Sequence, residues 1–443
     1  MSENSHSSHS HHSHHSHHSH SKKKKIKKIE LKRKHLKICI AVLTLVVIAL
    51  TGWNISLTVR LYDAVKKLEN YNLNENIIID SDTQSVPEFV KKEAESVVEQ
   101  VLKIQNEDTV SFIAISDMHL DSKDAAMVNA LQHAGMAMEI IRDKLDIDFA
   151  VNLGDITVGS KTTSIESGKN EIRKALEITK KGFSGIPNFY AVGNHDLLLY
   201  SYENNNDYLD SYELFDLIGK NNVDVVYQKG EEDRGYCYKD LEDLKLRVIC
   251  LNTNDIKDVT DESVLKDEGK YCNMSAPQLE FVANALNLSS KADAKDWKII
   301  VLSHIPLFTD GYEPVVKMLD DYQNGLSGVV SVEGKTVSYN FAGVNNARLV
   351  CEVHGHLHNY RTDLIGKSKL ASITVPNACY SRNNTKATVD SEEYRKKYAQ
   401  QQTYEKVYNT AEDTAFSVIT IDFKYSKIYV TNYGAGYDRE VSF

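Results

Sequence analysis

The chain has 443 residues, 42% of them apolar, which is enough for one large domain or two small ones with a buried core. Its formal net charge of −10 hides an asymmetry: residues 1–37 carry ten Lys/Arg against two Glu, a surplus of eight that leaves −18 for everything after them. A body this acidic argues against long-range attraction to a nucleic-acid backbone, which depends on basic patches against the phosphates. Any phosphate it handles needs local positive charge such as metal ions.

In chain order, residues 1–21 are almost entirely Ser and His, with nine His in the first twenty positions. Such a composition cannot bury a core and predicts a disordered tail with weak affinity for divalent metals. The basic block 22–37 is followed by 38–59, ICIAVLTLVVIALTGWNISLTV, which holds no charged residue. As a helix it would span roughly 33 Å, enough for a hydrocarbon core of about 30 Å. A basic flank this long, with no A-x-A cleavage site after the apolar run, points to a signal anchor rather than a cleaved leader. Trp53 suits the far interface, and the basic block should stay cytoplasmic. A single-pass membrane protein is expected, its partner through 38–59 the lipid bilayer and its C-terminal bulk extracytoplasmic.

Residues 60–108 are charged and helix-prone, interrupted by a polar cluster and Pro87, and read as a helical stalk. From 109 to 443 short apolar runs alternate with amphipathic stretches. Strands are expected at 111–116, 148–153, 188–193, 246–252, 298–303, 348–353 and 417–423, and helices at about 123–144, 166–182 and 276–290. That order predicts a layered α/β domain. Six cysteines (Cys39, Cys237, Cys250, Cys272, Cys351, Cys379) include no CxxC pair, so zinc-thiolate chemistry is not expected and mostly buried free thiols are, with one disulfide left open as the alternative.

Metal-ligand residue types stand directly after five of these apolar runs, where an α/β sheet places its functional loops. They are Asp117-Met118-His119, Gly154-Asp155, Asn194-His195-Asp196, His304 before Ile305-Pro306, and His354-Gly355-His356-Leu357-His358. Each alone is weak, since a lone Asp-x-His is commoner as a surface loop. Five in one order, each at a strand end, make coincidence a poor explanation. His354 and His133 are read as structural.

The motifs DMH, GD, GNHD, SHIP and GHLH, in that order, resemble the calcineurin-like metallophosphoesterases over about residues 110–360, and the likeness is expected to continue through 375–382 and the closing strands. The resemblance implies a four-layered α/β/β/α sandwich around two metal ions. Asp117, His119 and His358 would hold one, Asp155 would bridge, and Asn194, His304 and His356 would hold the other. His195 corresponds to the catalytic histidine, with Asp196 beside it as orienting carboxylate. Two cations about 3.5–4 Å apart clamp a phosphoryl group and generate a bridging hydroxide that attacks in line, while a protonated His195 helps the leaving oxygen depart. Mixed His, Asn and carboxylate donors suit Mn, Fe, Zn, Co or Ni better than Ca.

Departures from relatives narrow the expectation. The chain reads GDITVGS and GNHD where protein phosphatases of the wider superfamily carry an Asp and an Arg after GD and a Glu after GNH. Val158 stands where purple acid phosphatases have a metal-bound Tyr. Hydrolysis of a phosphodiester or phosphomonoester, from a small molecule or the cell envelope, is the expected activity. A catalytically silent scaffold of the same fold and a metal-binding surface protein are the alternatives, and the complete ligand set argues against the first.

Overall fold

A strand buried on both faces needs apolar side chains in succession, and alternate residues then serve two different cores. In β1 (Thr109–Ile115), Val110, Phe112 and Ala114 enter one apolar cluster while Ile113 and Ile115 enter another. The structure is a computed structural model that describes residues 85–160, 163–199, 208–255, 274–332, 334–343, 347–379 and 406–443. The Ser/His tail, the apolar segment 38–59 and the first half of the expected stalk lie outside these residues, as do Cys39 and Cys272. Among the described residues no helix is long and apolar enough to cross a membrane.

The chain enters through helix α1 (Glu88–Leu102), then β1, helix α2 (Ala125–Lys144), β2 (Phe149–Asn152), helix α3 (Ile165–Phe183) and β3 (Asn188–Tyr190). After a short helix α4 (Ser211–Leu217) it passes to a second sheet with β4 (Val226–Tyr227), β5 (Cys237–Leu241), β6 (Leu246–Cys250), helix α5 (Ala276–Leu286) and β7 (Lys298–Leu302). Helix α6 (Glu313–Gln323) and a separate hairpin of β8 (Ser327–Val332) and β9 (Lys335–Asn340) precede β10 (Arg348–His354), β11 (Thr362–Ile365) and β12 (Leu370–Thr374). The chain then returns to the first sheet with β13 (Ala415–Asp422), β14 (Lys427–Gly434) and β15 (Arg439–Ser442). Strand orders are β15-β14-β13-β1-β2-β3 and β11-β12-β10-β7-β6-β5-β4. This is a mixed α/β fold with two large mixed sheets: the first is parallel over β1-β2-β3 at one edge and antiparallel from β1 through β13-β14-β15, the second is parallel over β6-β7-β10-β12 in its middle and antiparallel at both edges.

Among the described residues three large apolar clusters and a small one of Tyr360, Ala415 and Ala435 hold it together. One packs α1, α2, α3 and α4 on the first sheet. A second packs α5, α6 and the β8-β9 hairpin on the other sheet. The third is drawn from both sheets and includes Phe112, Phe149, Phe189, Val248, Ile300, Val353 and Ile419. Each fully buried Val, Leu, Ile or Phe contributes roughly 1.5–3 kcal/mol relative to exposure. In β10 the register against β7 shifts between Leu349 and Cys351, and Val350, Cys351 and Val353 all reach the third cluster, as a bulge allows. Cys237, Cys250, Cys351 and Cys379 are buried free thiols.

The helices start where the chain supplies caps. Asp124 accepts from Ala126 N, Ser164 from Ser167 N and Ser275 from Gln278 N, each filling an orphan donor of the first turn. The expected stalk over 60–108 needs correction in its second part. Val90, Ala94, Val97, Val98 and Val101 of α1 are buried where it packs on helix α2 and on strands β13 and β14, so this segment belongs to the compact unit Ser85–Phe443.

Candidate metal centre

Parallel strands deliver the site. Asp117 and His119 follow β1, Asp155 follows β2, Asn194 and His195 follow β3, His304 follows β7, and His356 and His358 follow β10. Main-chain bonds stitch the loops together: Gly355 N to His304 O and Val375 N to His354 O within the second sheet's strand ends, and Ala378 N to Ser116 O and Cys379 N to Asp117 O across to the loop after β1. Asp117, His119, Asp155, His356 and His358 all have φ between +40° and +69°. A left-handed conformation costs a non-glycine residue roughly 1–2 kcal/mol, so the surrounding packing must hold this strain in place. At Gly193 a Cβ would stand 2.0 Å from Asp155 N, so only glycine lets the two loops approach.

The seven expected ligands converge. Donor atoms of Asp117, His119, Asp155 and His358 lie within 4.8 Å of one another, as do those of Asp155, His304 and His356. Asn194 Oδ1 sits 3.0 Å from His304 Nε2 and 2.9 Å from His356 Nδ1, on the second group. Asp155 belongs to both groups. Its Oδ1 accepts from His195 N at 2.8 Å, which leaves Oδ2 facing His304 Nε2 at 3.2 Å and His119 Nε2 at 3.5 Å.

The donor set fits cations. His119 Nε2 and His358 Nε2 stand 2.9 Å apart, with Asp117 Oδ1 3.1 Å from the latter. Two imidazole nitrogens so placed can share only one proton, whereas an ion among them satisfies all the lone pairs together. His304 Nδ1 bonds the Leu153 carbonyl at 2.7 Å, so that nitrogen carries a hydrogen and Nε2, once deprotonated, offers its lone pair to the site. Asp117 is steadied by Ser116 Oγ at 2.6 Å and by the His356 amide.

Charges are strongly coupled here. Burial alone would raise the Asp117 carboxyl, but His358 and His119 beside it win and hold it well below the usual carboxylate range. Asp155 is likewise lowered, with His304 and His195 overcoming burial. Burial opposes a charge on His304, yet Asp155 and Asp117 push it up to about 9. Burial and neighbouring histidines bring His119 and His356 down to about 4. In metal-free protein His304 therefore keeps its second proton, at Nε2, up to about pH 9, and a metal ion bound at that nitrogen would displace it. Metal binding near pH 7.5 is expected to release about one proton per chain from this residue, with apparent affinity climbing as pH rises toward that value. Calorimetric titration in buffers of different ionisation enthalpy measures this directly; proton-neutral binding would contradict the assignment of His304 as a donor to the ion.

His195 lies beside this cluster, its ring 4.5 Å from that of His119 in an edge-to-face contact. The expected pairing with Asp196 is corrected. His195 Nδ1 bonds the Val158 carbonyl at 2.7 Å, while Asp196 accepts from Ile156 N and Thr157 N on one oxygen and Gly193 N on the other. Asp196 is fully buried and ties the loop after β2 to the loop after β3. A carbonyl only accepts, so Nδ1 carries hydrogen and Nε2 is the exchangeable position. Val158 escapes sequence reasoning because its contribution is main-chain. His354 is structural: buried, bonded to the Gly355 carbonyl and near Thr374 Oγ1, and lowered to about 3 by burial. His133 is buried against Asp413. Asn254 braces the site by donating to the Val192 carbonyl.

A family model, calcineurin-like phosphoesterase, matches residues 110–360, more than half of the chain and all five motif loops. The chain belongs to the calcineurin-like phosphoesterase family. Among solved structures, the NAD nucleotidase of Haemophilus influenzae is similar at 12% identity with a TM-score of 0.29, over 75% of this chain and 49% of that one. This calcineurin-like chain thus spans about half the length of that structure. No curated protein matches.

Proposed function

We propose that this family member hydrolyses phosphate esters at a centre of two divalent or trivalent ions. Asp117, His119 and His358 hold one ion, Asn194, His304 and His356 hold the other, and Asp155 bridges. The observation that carries this reading is that Asp155 is shared by both ligand groups, with Oδ2 turned toward a histidine of each. When bound, such ions supply Lewis acidity toward a phosphoryl group and an acidified water. His195 holds a proton at Nε2 and passes it to the leaving oxygen. The mixed nitrogen and oxygen donors favour Mn, Fe, Zn, Co or Ni. The three apolar clusters support reading the domain as a helix-sheet-sheet-helix sandwich.

The 38–59 segment is the proposed membrane anchor, with residues 1–37 cytoplasmic and the compact unit from Ser85 outside the cytoplasm. Phosphodiesters and monoesters of the envelope, or external nucleotides, are then the substrates within reach. Residues 85–443, stripped and reloaded with metal, should turn over bis(p-nitrophenyl) phosphate or p-nitrophenyl phosphate in a metal-dependent way, and the ratio of the two rates assigns the ester class. Fully loaded protein that cleaves neither would count against the hydrolase reading.

A further inference from the structure

We infer that Glu171 is a positioning residue for His195, acting through Thr157 and the peptide unit between Val158 and Gly159; this rests on reading His195 as the proton donor. Glu171 projects from α3 and is only 2% exposed, among the helix's inward-facing Gly168, Ile172, Ala175 and Thr179. Packing α3 against α2 requires no acid there, and burying a carboxylate is costly unless it is hydrogen-bonded. Glu171 has its partners: Thr157 Oγ1 at 2.5 Å, Ser167 Oγ at 3.5 Å and the Ser122 backbone amide. Two of these lie on site loops. Ser122 stands just past His119 and Thr157 just past Asp155, and the two loops pair with each other at Leu120 and Thr157.

The relay from Glu171 to His195 follows from hydroxyl chemistry and peptide planarity. A threonine hydroxyl has one proton, and directing it to Glu171 leaves a lone pair on Oγ1 for Gly159 N–H, 3.3 Å away. Gly159 N–H and the Val158 carbonyl are the two ends of one planar trans peptide unit and point in opposite directions. Drawing the N–H onto Thr157 therefore aims the carbonyl at His195 Nδ1, 2.7 Å away. Gly159 (φ +49°) presses so closely on the histidine's own main chain that a Cβ would stand 2.3 Å from the His195 carbonyl oxygen. Asp196 fixes the amides of Ile156 and Thr157 just upstream. Two buried acids thus pin residues 156–159 from separate elements, and the element they pin sets the tautomer and direction of His195.

The test uses the full-length, metal-loaded chain and two diesters, bis(p-nitrophenyl) phosphate, whose leaving group departs without a proton, and diphenyl phosphate, whose leaving group needs one. Glu171→Leu and Thr157→Val should each lower kcat on diphenyl phosphate about 10-fold or more, the usual effect of losing an outer hydrogen-bond partner. KM should hold, bis(p-nitrophenyl) phosphate should suffer far less, and Glu171→Gln, which keeps an acceptor oxygen, should recover most of the rate. In a His195→Ala background the Thr157→Val effect should vanish, because there is no imidazole left to orient. Equal losses on both diesters, or a Thr157→Val loss that persists without His195, would make Glu171 a merely structural residue and overturn the inference while leaving the proposed activity intact. If His195→Ala cleaves diphenyl phosphate at the wild-type rate, the donor assignment fails and takes this inference with it. Thr157→Val, nearly isosteric, decides the matter should Glu171→Leu fail to fold.

Discussion

Asp155→Asn is expected to reduce metal-dependent hydrolysis more than about 100-fold, beyond the ~10–100-fold that loss of an outer-shell partner costs a metal site. The substitution keeps size and shape but removes the negative charge shared by the two ligand groups. It also replaces one of two acceptor oxygens with an NH2: Oδ1 accepts from the His195 amide, and Oδ2 faces His304 and His119. Whichever oxygen survives, either the loop contact or the shared ligand is lost. Metal content by elemental analysis should fall together with turnover. Wild-type turnover in Asp155→Asn would mean that the reaction, if any, occurs elsewhere.

His195→Ala is expected to act on chemistry while sparing metal binding. No donor atom of His195 belongs to either ligand group, and its ring stands beside His119 at the edge of the cluster. A positioned acid or base typically contributes about 10²–10⁴-fold, so a loss in that range is expected on esters whose leaving oxygen needs a proton, and much less on p-nitrophenyl esters. Metal stoichiometry should match wild type. A variant that loses metal along with rate would instead place His195 among the groups that hold the loop after β3 together.

The fold was legible wherever burial on both faces forced an apolar run. The strands expected at 111–116, 298–303 and 348–353 lie within a residue or two of β1, β7 and β10, and the helices expected at 123–144 and 166–182 match α2 and α3. The β8-β9 hairpin escaped because its residues are largely exposed and polar, with Val330, Val337 and Tyr339 as its buried anchors. Helix α1 lies where a helical stretch was expected, but it reads as stalk instead of core because its valines are diluted by Glu and Lys. Its spacing at 90, 94, 97, 98 and 101 is nonetheless that of one buried face, and it marks where the domain begins.

The ligand convergence was readable because each residue follows a strand whose end is fixed by the core. What surrounds those ligands was not. The Val158 carbonyl, the amides that engage Asp196 and the left-handed backbone at five of the expected ligands are main-chain features, and side-chain identity does not report them. Asp196 shows the resulting error: adjacency to His195 in sequence suggested a dyad, but a buried carboxylate beside unpaired amides takes the amides.

Metal stoichiometry measured alongside activity tests the central claim most directly. Stripped protein is titrated with Mn, Fe, Zn, Co or Ni while bound metal per chain and hydrolysis of bis(p-nitrophenyl) phosphate and p-nitrophenyl phosphate are followed together. The account predicts two ions per chain at saturation, with turnover rising as the second site fills and both effects absent in Asp155→Asn. Saturation at one ion or none, or turnover that ignores occupancy, would contradict it.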